Sequence, residues 1–279
     1  MGVVGLGTMG AGIAQVCVQA GLETVGREVS AELGEHARGR IEHYLSRGVE
    51  KGRLTAAERD AALERLQLTT ELSDLAGCDV VVEAIVEDLE AKRELFRELE
   101  KVVASDAILA TNTSALPVTK IAGAIERPER VVGLHFFNPA PVLPLVEVVR
   151  TELTADEPYE DAYAFAERIG KEPVRCADTP GFIVNRVLIP LLNDCVRVLD
   201  EAGVAPEDMD KAMTAGANWP IGPCALIDLI GVDIHVHASE ALHSALAEPR
   251  MAAPERLVRM RDQGLLGRKS GQGFFTYDQ

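Results

Sequence analysis

His135 and Glu147 stand at the two ends of the stretch HFFNPAPVLPLVE, separated by two aromatic residues, one asparagine, three prolines and no other charge. A histidine, with an ordinary pKa of about 6.5, can take up and return a proton near neutrality. A carboxylate on the imidazole nitrogen facing away from the reacting group fixes the tautomer and stabilises the imidazolium. The prolines at 139, 141 and 144 limit the connecting path, so the stretch can turn back and bring Glu147 to His135. An isolated histidine is more often a core residue, and an isolated glutamate a surface one. Here two further motifs argue for chemistry.

The first is GLGTMG, residues 5–10, which fits G-x-G-x-x-G. A short β-branched run precedes it, and an apolar helical pattern from Ile13 to Ala20 follows, stopped by Gly21. In that setting Gly5 makes the tight turn, Gly7 lets backbone approach a pyrophosphate, and Gly10 lets helix and strand pack closely. Leu6, Thr8 and Met9 complete the loop, whose helix N-terminus favours an anion. The motif predicts an acidic residue ~20 positions on, at the end of a second strand, to hold a ribose. Glu28 meets this and favours NAD over NADP, although Arg27 beside it could accommodate a 2′-phosphate. The second motif is ATNTS, residues 110–114, which places Asn112, Thr113 and Ser114 just after a strand. Small hydroxyl and amide groups there suit hydrogen bonds to a substrate oxygen and a carboxamide, although ST-rich turns are common.

Elements must deliver these groups to one edge. Strands are expected near the N-terminus, at 22–28, 78–87, 106–114, 130–139 and 144–150, with helices between them, including a long charged region over about 30–65 and another at 88–103. Alternating strands and helices imply βαβ units and a mostly parallel sheet. Ligands then bind at the carboxyl ends of the strands, where His135 and Ser114 fall. Near RCADTPGF the pattern changes to helices alone, apart from a possible strand at GFFTYD (273–278). The expected architecture is a Rossmann-type doubly wound sheet (1–179) followed by an all-helical domain (180–279).

Composition narrows the partners. The chain has 279 residues, 47% hydrophobic and 26% charged, with a formal net charge of -16. Such acidity disfavours nucleic acid and anionic membranes. No apolar run reaches the roughly 18 residues a membrane helix needs, and no signal peptide is visible. Five dispersed cysteines read as reduced thiols in a cytoplasmic protein. The histidines 235, 237 and 243 lack i,i+4 spacing, so no metal site is expected.

The blocks GLGTMGAGIAQV, VVEAIVEDLEAKRELF, ILATNTSALP, GLHFFNPAPVLPLVEVV, DTPGFIVNR, PIGPCALIDLIGVD and GRKSGQGFF together resemble the 3-hydroxyacyl-CoA dehydrogenase family. They cover essentially the whole chain, and are most similar to short, single-function members acting on 3-hydroxybutyryl-CoA. The resemblance implies that His135 is the catalytic base, Glu147 its partner, Ser114 a substrate and cofactor contact, and Asn185 a contribution from the second domain. It implies that Glu87, Lys92, Asn138 and Lys269 approach the cofactor, NAD, and that the second domain forms a homodimer. Glu28 stands where the family usually has aspartate. Met1 falls almost directly before the glycines, where relatives carry a longer first strand, so a shortened strand is expected. For an acyl-CoA substrate, the segment 37–53 offers Arg38, Arg40, Arg47, Lys51 and Arg53 against Glu42 and Glu50, a local positive patch. Lys51 is near a family position that contacts coenzyme A, while a solvated helix face is the competing reading. Two rival functions are a dehydrogenase of a free hydroxy or sugar acid on the same fold, and a non-catalytic crystallin-like relative.

Overall fold

The computed structural model describes residues 1–277. The chain divides into two compact units, Met1–Thr179 and the chain from Pro180 onward.

In the first unit β1 (Gly2–Val4), α1 (Thr8–Gln19), β2 (Thr24–Arg27), α2 (Ala31–Glu50), α3 (Ala56–Glu64) and β3 (Leu66–Thr69) come first. Then follow β4 (Val80–Glu83), α4 (Leu89–Val102), β5 (Ile108–Thr111), α5 (Val118–Ala122), β6 (Val131–Phe136), β7 (Leu145–Arg150), α6 (Asp156–Arg168) and β8 (Glu172–Ala177). Among the described residues they form an eight-stranded sheet in the order β3-β2-β1-β4-β5-β6-β7-β8. Strands β1 to β6 run parallel in the dinucleotide-binding order. Their runs are apolar because such a sheet is covered on both faces: Val3, Val82, Ala110, Val132 and Leu134 join Ile13, Val16 and Leu45 in one core cluster. Strand β7 returns antiparallel to β6, with His135 directly opposite Glu147.

The long charged helical region expected over about 30–65 is built as two helices. Ser30 caps α2 by accepting from Leu33 N–H. The chain then turns at Lys51–Leu54, where Gly52 takes φ +66°, and Thr55 with Glu58 forms a capping box that starts α3. Strand β3 went unread in the sequence, since LQLT has one buried residue and three that are half-buried or exposed.

The second unit holds α7 (Val184–Ala202), α8 (Pro206–Gly216), α9 (Pro223–Ile230), α10 (Val232–Leu246) and α11 (Glu255–Asp262). Leu192, Val196, Ile227, Val232, Val236 and Leu257 pack together at its centre. The strand entertained at 273–278 is a correction: the described part of it forms only an isolated bridge, Gln272 with Thr276, and Asp278 lies outside the described residues. Buried Asp228 accepts the N–H groups of Phe274 and Phe275 at 2.9 Å each, in place of a strand partner.

Candidate active site

Four pieces of the first unit meet at the carboxyl ends of the strands: the β1–α1 loop, the loops after β4 and β5, and the β6–β7 pair.

The glycine loop is built by steric exclusion. Gly5 takes φ +84°, where a side chain is strained. A Cβ on Gly10 would lie 1.8 Å from the Gly5 carbonyl oxygen, so close approach of helix and strand needs glycine there. A Cβ on Gly7 would meet nothing within 4 Å: the space beside it is open. Gly7 is also the N-cap of α1 and offers no side-chain cap, so the first-turn N–H groups of Thr8 and Met9 would be left for an anion such as a pyrophosphate. Glu28 grips the same loop, accepting from Leu6 N–H at 2.7 Å and Val29 N–H at 2.9 Å. A cleft of about 490 Å³ is lined there by Gly5, Gly7, Arg27, Glu28, Val29 and the chain from Ala84 to Val86. Arg27 lines it too, but its Nε donates to the Thr70 carbonyl at 3.1 Å. The anionic Glu28 thus dominates the ribose end and disfavours a 2′-phosphate. These residues fit an adenine dinucleotide.

After β4 lies a buried charge network. Glu83 is fully buried. Its Oε1 accepts from Lys92 Nζ at 2.6 Å and Ile85 N–H at 2.7 Å, and its Oε2 from the Thr111 hydroxyl at 2.7 Å. Lys92, equally buried, also reaches Glu87 Oε2 at 3.3 Å. Glu87 Oε1 in turn accepts from the Thr113 hydroxyl at 2.6 Å and Ser114 N–H at 3.0 Å. Burial opposes charge on Glu87, but Lys92, the Thr113 hydroxyl and the Ser114 N–H outweigh it and hold its carboxyl below the ordinary value. Glu87, Lys92 and Ser114 thus come together. Glu83, which the sequence reading passed over, anchors the set. A glutamate closing an otherwise all-valine strand was the available signal. Asn112 and Thr113 differ from the expectation of substrate contacts: Asn112 Oδ1 accepts Phe136 N–H at 2.9 Å, and the Thr113 hydroxyl is committed to Glu87.

Beside this network, His135 Nδ1 lies 2.6 Å from Glu147 Oε2. The histidine is 5% exposed and the glutamate 0%. Because they are register partners on adjacent strands, the sheet ladder itself sets their separation. The Phe137 ring packs on the imidazole with centroids 4.5 Å apart. The contact with Glu147 engages Nδ1 of the ring.

A second cleft, of about 670 Å³, lies between α1, α2 and the β6–β7 loop. Arg40, Arg47, Lys51 and Arg53 line it with Tyr44 and the chain from Asn138 to Val142, and its lining holds no carboxylate. Arg38 is a correction to the expected patch: it turns to the Leu66 carbonyl at 3.3 Å. Asn138 and Lys51 therefore share this cleft.

Asn185 and Lys269 belong to the second unit. Asn185 occupies the first turn of α7, half-buried. Lys269 pairs with Asp233 at 2.6 Å. No group of histidine, cysteine and carboxylate side chains among the described residues could hold a metal. All five cysteines are buried and unpaired; burial pushes Cys17 up to about 12 and Cys176 to about 11, so neither thiol is a nucleophile at neutrality. No helix among the described residues is long and apolar enough to cross a membrane.

Residues 1–179 match the 3-hydroxyacyl-CoA dehydrogenase NAD binding domain, and residues 181–277 match the C-terminal domain of 3-hydroxyacyl-CoA dehydrogenase. A 3-hydroxybutyryl-CoA dehydrogenase of Mycobacterium tuberculosis is 46% identical, over 99% of this chain and 98% of that one. A 3-hydroxyadipyl-CoA dehydrogenase of Escherichia coli is 43% identical, over 99% of this chain and 58% of that one. The crystal structure of (S)-3-hydroxybutyryl-CoA dehydrogenase PaaH1 from Ralstonia eutropha superposes with a TM-score of 0.95 at 37% identity, covering 100% of this chain and 98% of that one.

Proposed function

The chain belongs to the 3-hydroxyacyl-CoA dehydrogenase family, and from that premise we propose that it interconverts (S)-3-hydroxybutyryl-CoA and acetoacetyl-CoA with NAD. The observation that carries the reading is the buried His135–Glu147 pair, 2.6 Å apart, at the same sheet edge as the glycine loop. Bound NAD supplies the hydride acceptor. His135 takes the C3 hydroxyl proton at Nε2 during oxidation and returns it during reduction. Glu147 keeps Nδ1 protonated, and its charge stabilises the imidazolium that forms. Ser114, its backbone fixed by Glu87, holds the C3 oxygen as charge develops on it, and Asn185 is assigned the contribution that the family resemblance gives the second domain. Gly5 to Gly10 with Glu28 bind the dinucleotide; Glu87 and Lys92 act on its nicotinamide side, and Asn138 and Lys269 are taken as further cofactor contacts.

The cation-lined cleft favours a polyanionic carrier such as coenzyme A over a free hydroxy or sugar acid, with Lys51 among its phosphate contacts. Intact proton-transfer groups speak against a non-catalytic role. The helical unit is assigned to homodimer formation, with the enzyme in the cytoplasm. Val187, Leu229 and Ile234, each more than half exposed, are the apolar side chains that pairing would cover.

The test is acetoacetyl-CoA reduction followed by loss of NADH absorbance, with NADPH in parallel and His135→Gln as control. NADH-dependent turnover that collapses in the variant is expected. A folded wild type inert with both cofactors would end the acyl-CoA assignment.

A further inference from the structure

The loop joining β6 to β7 is poor in donors of its own. Pro139, Pro141 and Pro144 have no N–H, and the N–H groups of Val142 and Leu143 both turn to the Pro139 carbonyl, at 2.9 and 3.0 Å. The carbonyls of Ala140 and Leu143 are met instead by a single group from across the sheet. Lys171, just before β8, places Nζ 2.5 Å from Ala140 O and 2.9 Å from Leu143 O. Lys171 is only 9% exposed, and its ammonium is met by the Ala140 and Leu143 carbonyls, not by a carboxylate. Burial therefore pushes its pKa below the ordinary lysine value. A desolvated ammonium held by neutral carbonyls alone is costly, so its position is explained by what it holds. The adjoining backbone bond, Glu172 N–H to Pro144 O at 2.8 Å, fastens the loop's far end to β8. The loop's other face walls the larger cleft, facing Arg40, Arg47 and Lys51.

The geometry points to Lys171 as a positioning residue, whose ammonium sets residues 139–142 as the fixed wall of the cleft that receives the coenzyme A carrier. The identity of that occupant rests on the acyl-CoA reading above. Lys171 touches no substrate; it acts through the Ala140 and Leu143 carbonyls. The His135–Glu147 pair is held separately, by the ladder running from Gly133 opposite Val149 to Phe136 opposite Val146. Loss of Lys171 therefore loosens the carrier's wall and leaves the proton-transfer pair in register.

Lys171→Met removes the donors, and Lys171→Arg keeps the charge but misplaces them. Hydrogen exchange at the Val142 and Leu143 amides reads the loop without any substrate. Exchange on the order of tenfold faster in the Met variant is expected, with the Val148 amide of β7 unmoved. In turnover, the Met variant raises KM for acetoacetyl-CoA about tenfold while kcat stays within about twofold. KM for acetoacetyl-N-acetylcysteamine, which lacks the nucleotide part of the carrier, moves little. The Arg variant falls between wild type and Met in both readouts, and it replaces the Met variant if that one does not fold. Unchanged loop exchange would overturn the proposal, as would an equal fall of kcat on both thioesters with KM constant. A folded wild type inert on acetoacetyl-CoA refutes the acyl-CoA reading and the named occupant with it. Exchange then still decides whether Lys171 holds the loop.

Discussion

Glu147→Gln removes one charge from a fully buried site and almost nothing else. In the proposed oxidation His135 becomes positive only as the substrate proton arrives, so on that reading the charge on Glu147 stabilises the transition state more than the ground state. Across the 2.6 Å contact, two unit charges at an effective dielectric of about 20 attract by about 6 kcal/mol. A glutamine of the same shape keeps a neutral hydrogen bond, roughly half as strong as the charge-assisted one. The net loss is about 3 kcal/mol, or roughly a hundredfold in kcat. The KM values for NAD and (S)-3-hydroxybutyryl-CoA are expected to stay near wild type, because Glu147 is fully buried. Replacing a buried charge with a neutral isostere does not by itself lower Tm much, so the loss is separable from unfolding. The assay is initial-rate NAD reduction by (S)-3-hydroxybutyryl-CoA at saturation, with thermal unfolding alongside. A kcat within threefold of wild type in a folded variant would refute the assignment of Glu147 as the electrostatic partner of the base.

Gly10→Ala places a Cβ 1.8 Å from the Gly5 carbonyl; since backbone must shift, a Tm drop and loss of NADH binding by fluorescence titration are expected together. Lys92→Met leaves the Glu83 charge buried without its ammonium and is expected to cost about 3–5 kcal/mol in urea unfolding. Adding Glu83→Gln should recover part of that; no recovery would show that the pair is not what Lys92 supports. In the second unit, buried His235 donates Nε2–H to Asn193 Oδ1 at 2.8 Å, and burial lowers its pKa from 6.5 to about 4. The unfolded chain therefore takes the proton first as pH falls. Stability is fully present above pH 6.5 and declines towards pH 4, by about 3 kcal/mol from this group. Urea unfolding across that range, against His235→Asn, measures it as the part of the pH slope that the variant lacks.

The residues that carry the proposed chemistry were legible because their types are costly where they stand. A histidine and a glutamate in two apolar β-runs joined by a proline-rich turn have few reasons to exist except each other. Glycine spacing was equally readable, because sterics at Gly10 admit nothing larger. The carboxylate of Glu83 and the ammonium of Lys171 were harder to see. Each looks like an ordinary charge at the end of an element until distant chain folds over it: Thr111 in one case, the Ala140 and Leu143 carbonyls in the other. Asn112 and Thr113 fall on the expected edge and also take protein partners there, the Phe136 N–H and Glu87, since a sequence does not show which nearby groups lack a mate. The break at Gly52 was hidden because charged residues continue on both sides of it.

The β6–β7 register has a consequence for how this protein can change over evolutionary time or in the laboratory. Side chains alternate between sheet faces with a period of two, so a one-residue slip of β7 against β6 would turn Glu147 away from His135. Losing or gaining a residue inside either strand would do that or require a bulge, and a change within 137–144 would have to be absorbed by the loop that Lys171 holds. Val142 and Leu143, 70% and 39% exposed, tolerate side-chain replacement. Diversity along the cleft wall is therefore reachable by substitution and closed to insertion and deletion, which makes 138–144 a segment for a fixed-length library.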